Sequence, residues 1–357
     1  MSRVAIAKAT SKSVAVALSG GVDSSVAATL LLEQGHDCAG LHLNLCGNEE
    51  NADARNVSLK LGMPYHALDY RELFEQSVVR DFVESYLRGE TPNPCIGCNR
   101  NVKFKLMLES ARALDYDCIA TGHYARREFH EESGRWLLKK AVDIGRDQSY
   151  MLCMLTQEQI AHCFFPLGEL HKPQVRQIAL ESGLVNAKRR DSQDICFIPE
   201  GDYGDFIERW TGEALIPGDF LDLDGKVLGR HRGTPRYTLG QRKGLGLALP
   251  RPGYVCAIDS AQNTVTVGNE SLLFSNTLAA RELNWIAFER LDRPLRCKAK
   301  VRYRQNEQWA VAEQTGEKTL RVTFDEPQRA ITPGQAVVLY DGDYVLGGAV
   351  IQPNISP

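Results

Sequence analysis

Long apolar runs are missing from this sequence of 357 residues. No stretch approaches the ~20 apolar residues that a membrane-spanning helix requires, and the first twelve residues lack the apolar segment of a secretory signal peptide. We therefore expect a cytoplasmic protein with no membrane partner. Its ten cysteines would then stay reduced, which argues against a scaffold of disulfide bonds.

A strong net charge is also missing. The 42 Lys and Arg residues nearly balance the 45 Asp and Glu residues, which gives a formal net charge of −3. This balance is not typical of a protein that coats nucleic acid through bulk charge, although it allows local basic surfaces. The basic run at 296–304 is one such surface. Taken alone, a run of this kind is more often a solvated face than a binding site.

Strand and helix patterns alternate in the first third of the chain. Strand patterns at 14–18, 37–43, 65–68 and 118–121 are interleaved with helical patterns at 24–34, 51–61, 70–87 and 102–114. This rhythm predicts an α/β fold with a doubly wound, mostly parallel sheet, whose ligands bind at the carboxyl ends of the strands. The pattern from 157 to 183 is helical again.

The chain changes character after about residue 209. Short β-rich runs separated by Gly, Pro and Asp-Gly turns continue to the end, which is typical of small β-barrels. We predict three domains: a catalytic α/β domain over 1–204, a central β-rich domain over 205–276, and a C-terminal β-barrel over 277–357.

A pair of glycines follows the first predicted strand, in Ser19-Gly20-Gly21-Val22-Asp23-Ser24. Glycines let the backbone approach an anion closely, and the next helix presents free N–H groups and a positive dipole end. The motif is neither the Walker loop nor the dinucleotide-binding G-x-G-x-x-G. A glycine turn with an Asp or Ser helix cap is the alternative, but the position directly after the first strand favours a phosphate site.

Three cysteines stand in polar or Gly/Pro-marked surroundings: Cys95, Cys98 and Cys196. The first two form a C-x-x-C pair between Pro94 and a predicted helix, and thiols near a helix N-terminus have a lowered pKa. A zinc knuckle would need a second pair of ligands with matching spacing, which the sequence does not offer. Buried thiols with a purely structural role are the competing interpretation. We predict reactive roles for Cys98 and Cys196.

The glycine loop resembles that of ATP pyrophosphatases, the PP-loop superfamily, which adenylate a substrate oxygen and release pyrophosphate. Over its whole length the chain is similar to the bacterial tRNA-specific 2-thiouridylases of the MnmA type. The matching segments are 17–25, 91–94, 98–99, 102–105, 120–124, 147–150, 172–176, 195–198, 238–244, 301–304 and 332–335. The resemblance implies an adenine nucleotide alpha-hydrolase-like catalytic domain followed by two small β-barrel-like domains.

The resemblance also implies an activity, the ATP-dependent 2-thiolation of the wobble uridine in tRNAs for Glu, Gln and Lys. ATP with Mg²⁺ would adenylate uridine O2, and a cysteine desulfurase or sulfur-relay protein would load a persulfide on Cys196. That sulfur would attack C2 directly, or as sulfide released by Cys98, and leave a transient Cys98–Cys196 disulfide. A flipped-out base would need a deep, polar pocket.

Site residues follow from the same matching. The resemblance implies ATP contacts at Ala17, Leu18, Ser19, Gly20, Gly21, Val22, Asp23, Ser24, Leu43 and Gly122. It implies tRNA contacts at Asn93, Pro94, Cys95, His123, Arg146, Asp147, Gln148, Arg302, Tyr303 and Gln335. Arg302 and Tyr303 suit phosphate contact and base stacking, whereas a lone His123 is equally typical of a structural histidine.

One position departs from the family pattern, because many members carry Asp where this chain has Cys95. Cys95, Cys98 and Cys196 would therefore also suit three irons of a [4Fe–4S] cluster that carries sulfide, which is the alternative mechanism. The glycine loop would also suit an amidating or ligating enzyme, which needs no thiols. The β-rich region and the basic clusters would suit a non-catalytic RNA-binding protein, which would not convert ATP to AMP.

Overall fold

The computed structural model describes residues 11–47, 52–184, 195–198 and 202–353. Five strands form a parallel sheet: β1 Ser13–Ala17, β2 Asp37–Asn44, β3 Tyr65–Asp69, β4 Cys118–Ala120 and β7 Cys163–Phe164. Their order is β3-β2-β1-β4-β7. The strands β2 and β3 are therefore added on one side of β1, and β4 and β7 on the other side. Val14, Ala15 and Val16 are completely buried, as expected for a strand covered on both faces.

Helices pack on both faces of this sheet, and further helices lie beyond them. They are α1 Val22–Glu33, α2 Ala52–Lys60, α3 Arg71–Phe74, α4 Arg80–Leu87, α5 Pro94–Cys98, α6 Lys105–Ala113, α7 Gln157–Ala161, α8 Lys172–Glu181 and α9 Tyr203–Thr211. Val14 and Val16 share a core with Leu31 of α1, while Ala15 shares another with Met107 of α6. The prediction of a doubly wound, mostly parallel sheet is confirmed.

Two helices contain a π-helical turn. The turn Glu75–Val79 joins α3 to α4, and the turn Asn99–Lys103 leads from α5 towards α6. Such turns are rare and frequently lie at functional sites. The helix predicted at 102–114 therefore begins earlier, at Pro94, and includes the C-x-x-C pair. The helical pattern at 157–183 is interrupted by β7, whose two residues are too few to show a strand periodicity.

The C-terminal part of the chain is a closed barrel. Its strands are β12 Phe274–Trp285, β13 Leu295–Lys300, β14 Gln308–Gly316, β15 Thr319–Arg329, β16 Ala336–Asp341 and β17 Tyr344–Ile351. They pair in the order β12-β15-β14-β13-β16-β17, and β17 pairs again with β12. Closure leaves no unpaired edge within the barrel.

A smaller sheet lies between these two parts in sequence. Its strands are β8 Gly218–Leu221, β9 Val227–His231, β10 Tyr254–Asp259 and β11 Thr264–Gly268, in the order β10-β11-β8-β9. Phe220, Val255 and Val265 form its core. The β-rich character predicted after residue 209 is thus confirmed, whereas the three domain limits stay predictions.

A hairpin joins the barrel to the parallel-sheet domain. It consists of β5 Ala125–His130 and β6 Arg135–Lys140, and β6 pairs with β17 of the barrel. Tyr150 reinforces this junction, because its hydroxyl donates a hydrogen bond to the backbone oxygen of Ala336 over 2.8 Å. The barrel is therefore held beside the parallel sheet. Among the described helices, none has the length and apolar character needed to cross a membrane.

Candidate functional site

A cavity of about 1410 Å³ opens at the carboxyl ends of β1, β2 and β4. Residues that end or follow these strands line it, together with residues 144–148 and the barrel residues 300 and 303–307. Ligands of open parallel sheets bind at this edge, where the direction of winding reverses. The cavity thus lies where the strand pattern predicts a ligand, and the barrel contributes part of its wall.

The loop after β1 has the geometry of an anion-binding turn. Gly20 has a φ of +74°, a conformation that glycine adopts without steric cost. The hydroxyls of Ser24 and Ser25 donate to the backbone oxygen of Gly21 over 3.1 Å and 2.9 Å. No side chain caps this described helix start at Gly21, so the helix-cap alternative is not what the structure contains here. The N-terminal N–H groups of α1 remain directed towards the loop.

Gly122 allows β4 and α1 to approach each other closely. A Cβ atom at this position would lie 2.7 Å from the backbone nitrogen of Ser24 and 2.8 Å from the carbonyl carbon of Asp23. Any other residue would therefore displace the start of α1. The predicted ATP residues that line the cavity are Ala17, Leu18, Ser19, Gly21, Val22, Asp23, Ser24, Leu43 and Gly122; Gly20 lies within the loop but not on the cavity surface.

A buried lysine reaches the start of α1. Lys172 Nζ lies 2.8 Å from each carboxylate oxygen of Asp23, and Tyr124 Oη donates to Asp23 Oδ1 over 2.8 Å. Lys172 begins α8, which shares a core with α1 through Val26 and Val175. The matching segment 172–176 contains this lysine, but the sequence analysis assigned it no role. Only the packing of α8 against α1 places its charge beside the phosphate loop.

Cys196 lies at the cavity next to a second cysteine, Cys46, which follows β2. The distance from Cys46 Sγ to the backbone oxygen of Cys196 is 3.6 Å. The side-chain hydrogen bond between the two thiols lowers the pKa of Cys46 to about 7 and raises the pKa of Cys196. The sequence analysis missed Cys46, although its position just after a strand at the ligand-binding edge was a usable signal.

The two cysteines of the C-x-x-C pair are not among the residues that line the cavity. Cys95 is exposed, whereas Cys98 is buried with Phe74 and Val78. Burial raises the pKa of Cys98 to about 11, and the ammonium of Lys103 offsets part of this rise. The expectation of a lowered pKa is therefore wrong for Cys98, because loss of solvation outweighs the effect of Lys103 and because Cys98 is the last residue of α5.

The thiols are not gathered into a metal site. In the ranges that the structure describes, no group of three or more His, Cys, Asp or Glu side chains is arranged to hold a metal ion. Cys95, Cys98 and Cys196 all belong to those ranges. As placed here, these three thiols do not fit a [4Fe–4S] cluster.

Lys103 and His123 lie at the cavity near the thiols. The ammonium of Lys103 acts on Cys46, Cys98 and Cys196 in the direction that lowers their pKa. Burial lowers the pKa of His123 to about 3, and Lys103 acts in the same direction. His123 Nδ1 lies 2.9 Å from Thr121 Oγ1. The imidazole is therefore neutral near pH 7 and offers hydrogen bonds rather than charge.

The predicted tRNA residues 146–148 lie on the cavity wall. Arg146 is exposed. Asp147 accepts hydrogen bonds from Ala141 N over 3.0 Å and from Ser149 Oγ over 2.7 Å. Gln148 Oε1 accepts from Tyr124 N over 2.9 Å. Asp147 and Gln148 thus shape the wall, whereas Arg146 presents a cation at it.

The predicted tRNA residues of the barrel connect parts of the chain. Arg302 donates to Ala330 O over 3.0 Å and to Thr332 Oγ1 over 2.6 Å, and it is not among the cavity-lining residues. Tyr303 lines the cavity and donates to Asp147 O over 3.0 Å.

Gln335 reaches the segment that precedes the C-x-x-C pair. Its Nε2 donates to the backbone oxygen of Thr91 over 2.7 Å, and Thr91 N donates to Pro333 O over 2.8 Å. Asn93, Pro94 and Cys95 follow directly, with Asn93 at the N-cap position of α5. The barrel therefore fixes the position of this segment.

Comparison with known proteins covers nearly the whole chain. Residues 12–200 match the family described as tRNA methyl transferase HUP domain, 204–269 the tRNA methyl transferase PRC-barrel domain, and 275–351 the aminomethyltransferase beta-barrel domain. A tRNA-specific 2-thiouridylase MnmA from Moorella thermoacetica is 50% identical over 351 residues, which are 94% of this chain and 98% of that protein. The enzyme of the same name from Acetivibrio thermocellus is 48% identical over 356 residues, covering 96% and 99%.

Among solved structures, NMN synthetase from Francisella tularensis is 17% identical and has a TM-score of 0.34, with 58% of this chain and 80% of that chain covered.

Proposed function

This chain belongs to the family of tRNA-specific 2-thiouridylases of the MnmA type, and we propose that it replaces O2 of the wobble uridine with sulfur. It is a tRNA-uridine 2-sulfurtransferase that uses ATP. We propose tRNAs for Glu, Gln and Lys as its substrates, and a cysteine desulfurase or sulfur-relay protein as its sulfur donor.

One observation carries the proposal: the phosphate loop and Cys196 line the same cavity. Thiolation of uridine requires an activated oxygen and a sulfur nucleophile to meet at one carbon atom. The loop can hold the phosphates of ATP through backbone N–H groups at the start of α1. The sulfur of Cys196 enters the same space from a different segment of the chain. A ligating enzyme that uses ammonia has no need of this second component.

The loop residues would activate the uridine. ATP supplies the adenylyl group that turns uridine O2 into a good leaving group, AMP, with Mg²⁺ bound to its phosphates. Gly20 and Gly21 let the backbone approach those phosphates, and the hydroxyl of Ser19 lies at the cavity. Lys172, held by Asp23, adds a fixed positive charge near the position where pyrophosphate develops negative charge.

The thiols would deliver the sulfur. The donor transfers its outer sulfur to the Cys196 thiolate, which becomes a persulfide. The terminal sulfur attacks C2, AMP leaves with the C2–O2 bonding electrons, and the uridine is then joined to Cys196 through a disulfide. The Cys98 thiolate attacks Sγ of Cys196, which breaks that bond, releases 2-thiouridine and leaves a Cys98–Cys196 disulfide. A thiol reductant restores both cysteines.

We propose that the tRNA enters past the barrel side of the cavity. Arg146, Tyr303 and His123 line the cavity. Arg146 and Tyr303 would meet the anticodon loop, and His123 would meet a base as a neutral hydrogen-bonding group. Asn93, Pro94 and Cys95 would contact the target base, while Asp147, Gln148, Arg302 and Gln335 would hold the surfaces that surround it.

The test uses purified enzyme, unmodified tRNA, ATP and a persulfide donor, with the nucleosides analysed by mass spectrometry. We expect 2-thiouridine at the wobble position and one AMP for each sulfur incorporated. Cys196→Ser should make no 2-thiouridine, whereas Cys256→Ser, a change at a half-buried cysteine of the central sheet, should behave as wild type. AMP formation without 2-thiouridine in the wild-type enzyme would instead support a ligating enzyme.

A further inference from the structure

Cys46 is a third thiol at the sulfur-transfer site. Its Sγ atom lies 3.6 Å from the backbone oxygen of Cys196, and its side chain both lines the cavity and is exposed. Cys98, by contrast, is 5% exposed and packs among apolar side chains. A soluble reductant therefore has poor access to Cys98, while the Cys46 sulfur lies next to Cys196 at an open surface.

We propose that Cys46 is the thiol that recycles the enzyme, by taking over the disulfide that Cys98 forms with Cys196. The proposal rests on the function proposed above, because it begins from the Cys98–Cys196 disulfide left after sulfur transfer. Cys46 then acts as an exchange residue that moves the oxidised state from a disulfide with one buried partner, Cys98, to a disulfide between two exposed cysteines.

The exchange is balanced in atoms and electrons. The Cys46 thiolate attacks Sγ of Cys196, a Cys46–Cys196 bond forms, and the Cys98–Cys196 bond breaks. Cys98 leaves as a thiolate and takes a proton from solvent. No net oxidation occurs in this step, because one disulfide replaces another. A dithiol reductant then attacks the exposed Cys46–Cys196 bond, becomes oxidised itself and returns both cysteines to thiols.

The surroundings of Cys46 suit this attack. The side-chain hydrogen bond that lowers the pKa of Cys46 in the reduced enzyme is lost once Cys196 is part of a disulfide, but the ammonium of Lys103 still acts on Cys46 in the direction that lowers its pKa. Attacking thiols are most effective when their pKa is near the ambient pH. Burial raises the pKa of Cys98 to about 11, so Cys98 takes up a proton once it has been released, which draws the exchange forward.

The test separates the first turnover from the later ones. Persulfide-loaded enzyme is mixed with ATP and excess unmodified tRNA without reductant, and the amount of 2-thiouridine gives the first turnover. The sulfur donor and about 0.1 mM dithiol are then added, and the rate of 2-thiouridine formation gives the later turnovers. In Cys46→Ser the dithiol has to reduce the Cys98–Cys196 disulfide itself, in which Cys98 is buried, so we expect the later turnovers to be several-fold slower than in the wild type while the first turnover is unchanged. Cys256→Ser is the matched control and should show no such change.

Disulfide mapping supplies a second measurement. After one turnover without reductant and rapid alkylation, wild-type enzyme should contain a Cys46–Cys196 disulfide, and Cys46→Ser should contain Cys98–Cys196 instead. Equal slowing of the first and later turnovers in Cys46→Ser, or only Cys98–Cys196 in the wild type, would overturn the proposal and leave thiolation by Cys196 intact. A wild-type enzyme that makes no 2-thiouridine would overturn both.

Discussion

Lys172 Nζ lies 2.8 Å from both carboxylate oxygens of Asp23, which joins the start of α8 to the second residue of α1. The lysine side chain is only 7% exposed. A buried ammonium is costly unless an anion holds it, so Asp23 fixes both the charge and the position of Lys172. The pair holds a lysine ammonium, balanced by the Asp23 carboxylate, beside the phosphate loop, whose own sequence contains no lysine or arginine.

Lys172→Gln should lose AMP formation by about 100-fold or more, because one fixed donor to a developing charge is typically worth 10²–10³ in rate. The rate of pyrophosphate release in the presence of tRNA measures this loss of activity. Lys226→Gln, at an exposed lysine of the central sheet region, is the matched control. A folded Lys172→Gln enzyme with normal turnover would show that the pair serves stability alone.

Asp23→Ala should abolish formation of AMP and pyrophosphate while the enzyme keeps its fold. The change removes the Asp23 carboxylate from Lys172, and breaking a buried ion pair costs up to about 3–5 kcal/mol, less here because Asp23 is 30% exposed. Thermal unfolding measures that cost. The double variant Asp23→Ala/Lys172→Met should regain stability but not activity. Near-normal turnover in either variant would contradict a catalytic role.

Cys98→Ser and Cys196→Ser should each be inactive in repeated turnover, while Cys95→Ser keeps substantial activity. Two thiols are enough for the exchange, and the proposed steps use only Cys98 and Cys196. Tracer incorporation of sulfur into tRNA gives the activities, and elemental analysis gives the iron content after anaerobic purification. Joint loss of iron and activity in Cys95→Ser would favour the cluster mechanism.

Cys46 should react with iodoacetamide with a midpoint near pH 7. The hydrogen bond from Cys196 lowers its pKa, so the thiolate appears as the pH rises through about 7 rather than through the ordinary value near 8.5. Peptide mass spectrometry follows the labelling rate. In Cys196→Ala the hydrogen bond to Cys46 is lost, so the midpoint should move to higher pH. An unchanged midpoint would show that this hydrogen bond is not the cause of the lowered pKa.

Arg302→Ala and Arg304→Ala should weaken tRNA binding in different ways. Arg304 is exposed and lines the cavity. Its loss should lower the salt slope, which is the slope of the logarithm of the binding constant against the logarithm of the salt concentration, by about one, the value for one phosphate contact. Arg302 is bonded to Ala330 and Thr332, so its loss should displace Tyr303 and leave the slope unchanged. Binding titrations at several salt concentrations measure the affinity and the salt slope of each variant. A lower slope for Arg302→Ala would show that Arg302 contacts a phosphate.

Several features were determined by the sequence. The phosphate loop needs local backbone freedom and an adjacent helix start. Ser19-Gly20-Gly21 provides the first, and the residues that follow provide the second. The alternation of strands and helices likewise predicted the parallel sheet, because the periodicity of burial is a local property. Cys196 could be chosen as a candidate because a polar segment, residues 191–194, precedes it in the sequence.

Further features were decided only by the tertiary structure. Lys172 meets Asp23 because α8 packs on α1, and the hydrogen bond from Gln335 to Thr91 crosses 244 positions of the chain. Cys46 and Cys196 are 150 positions apart, and Cys98 became a high-pKa thiol through burial that its C-x-x-C motif does not reveal. Such contacts depend on how elements that are distant in sequence pack together. The resulting burial and the distances between charges then set the pKa values, and a local sequence pattern contains neither kind of information.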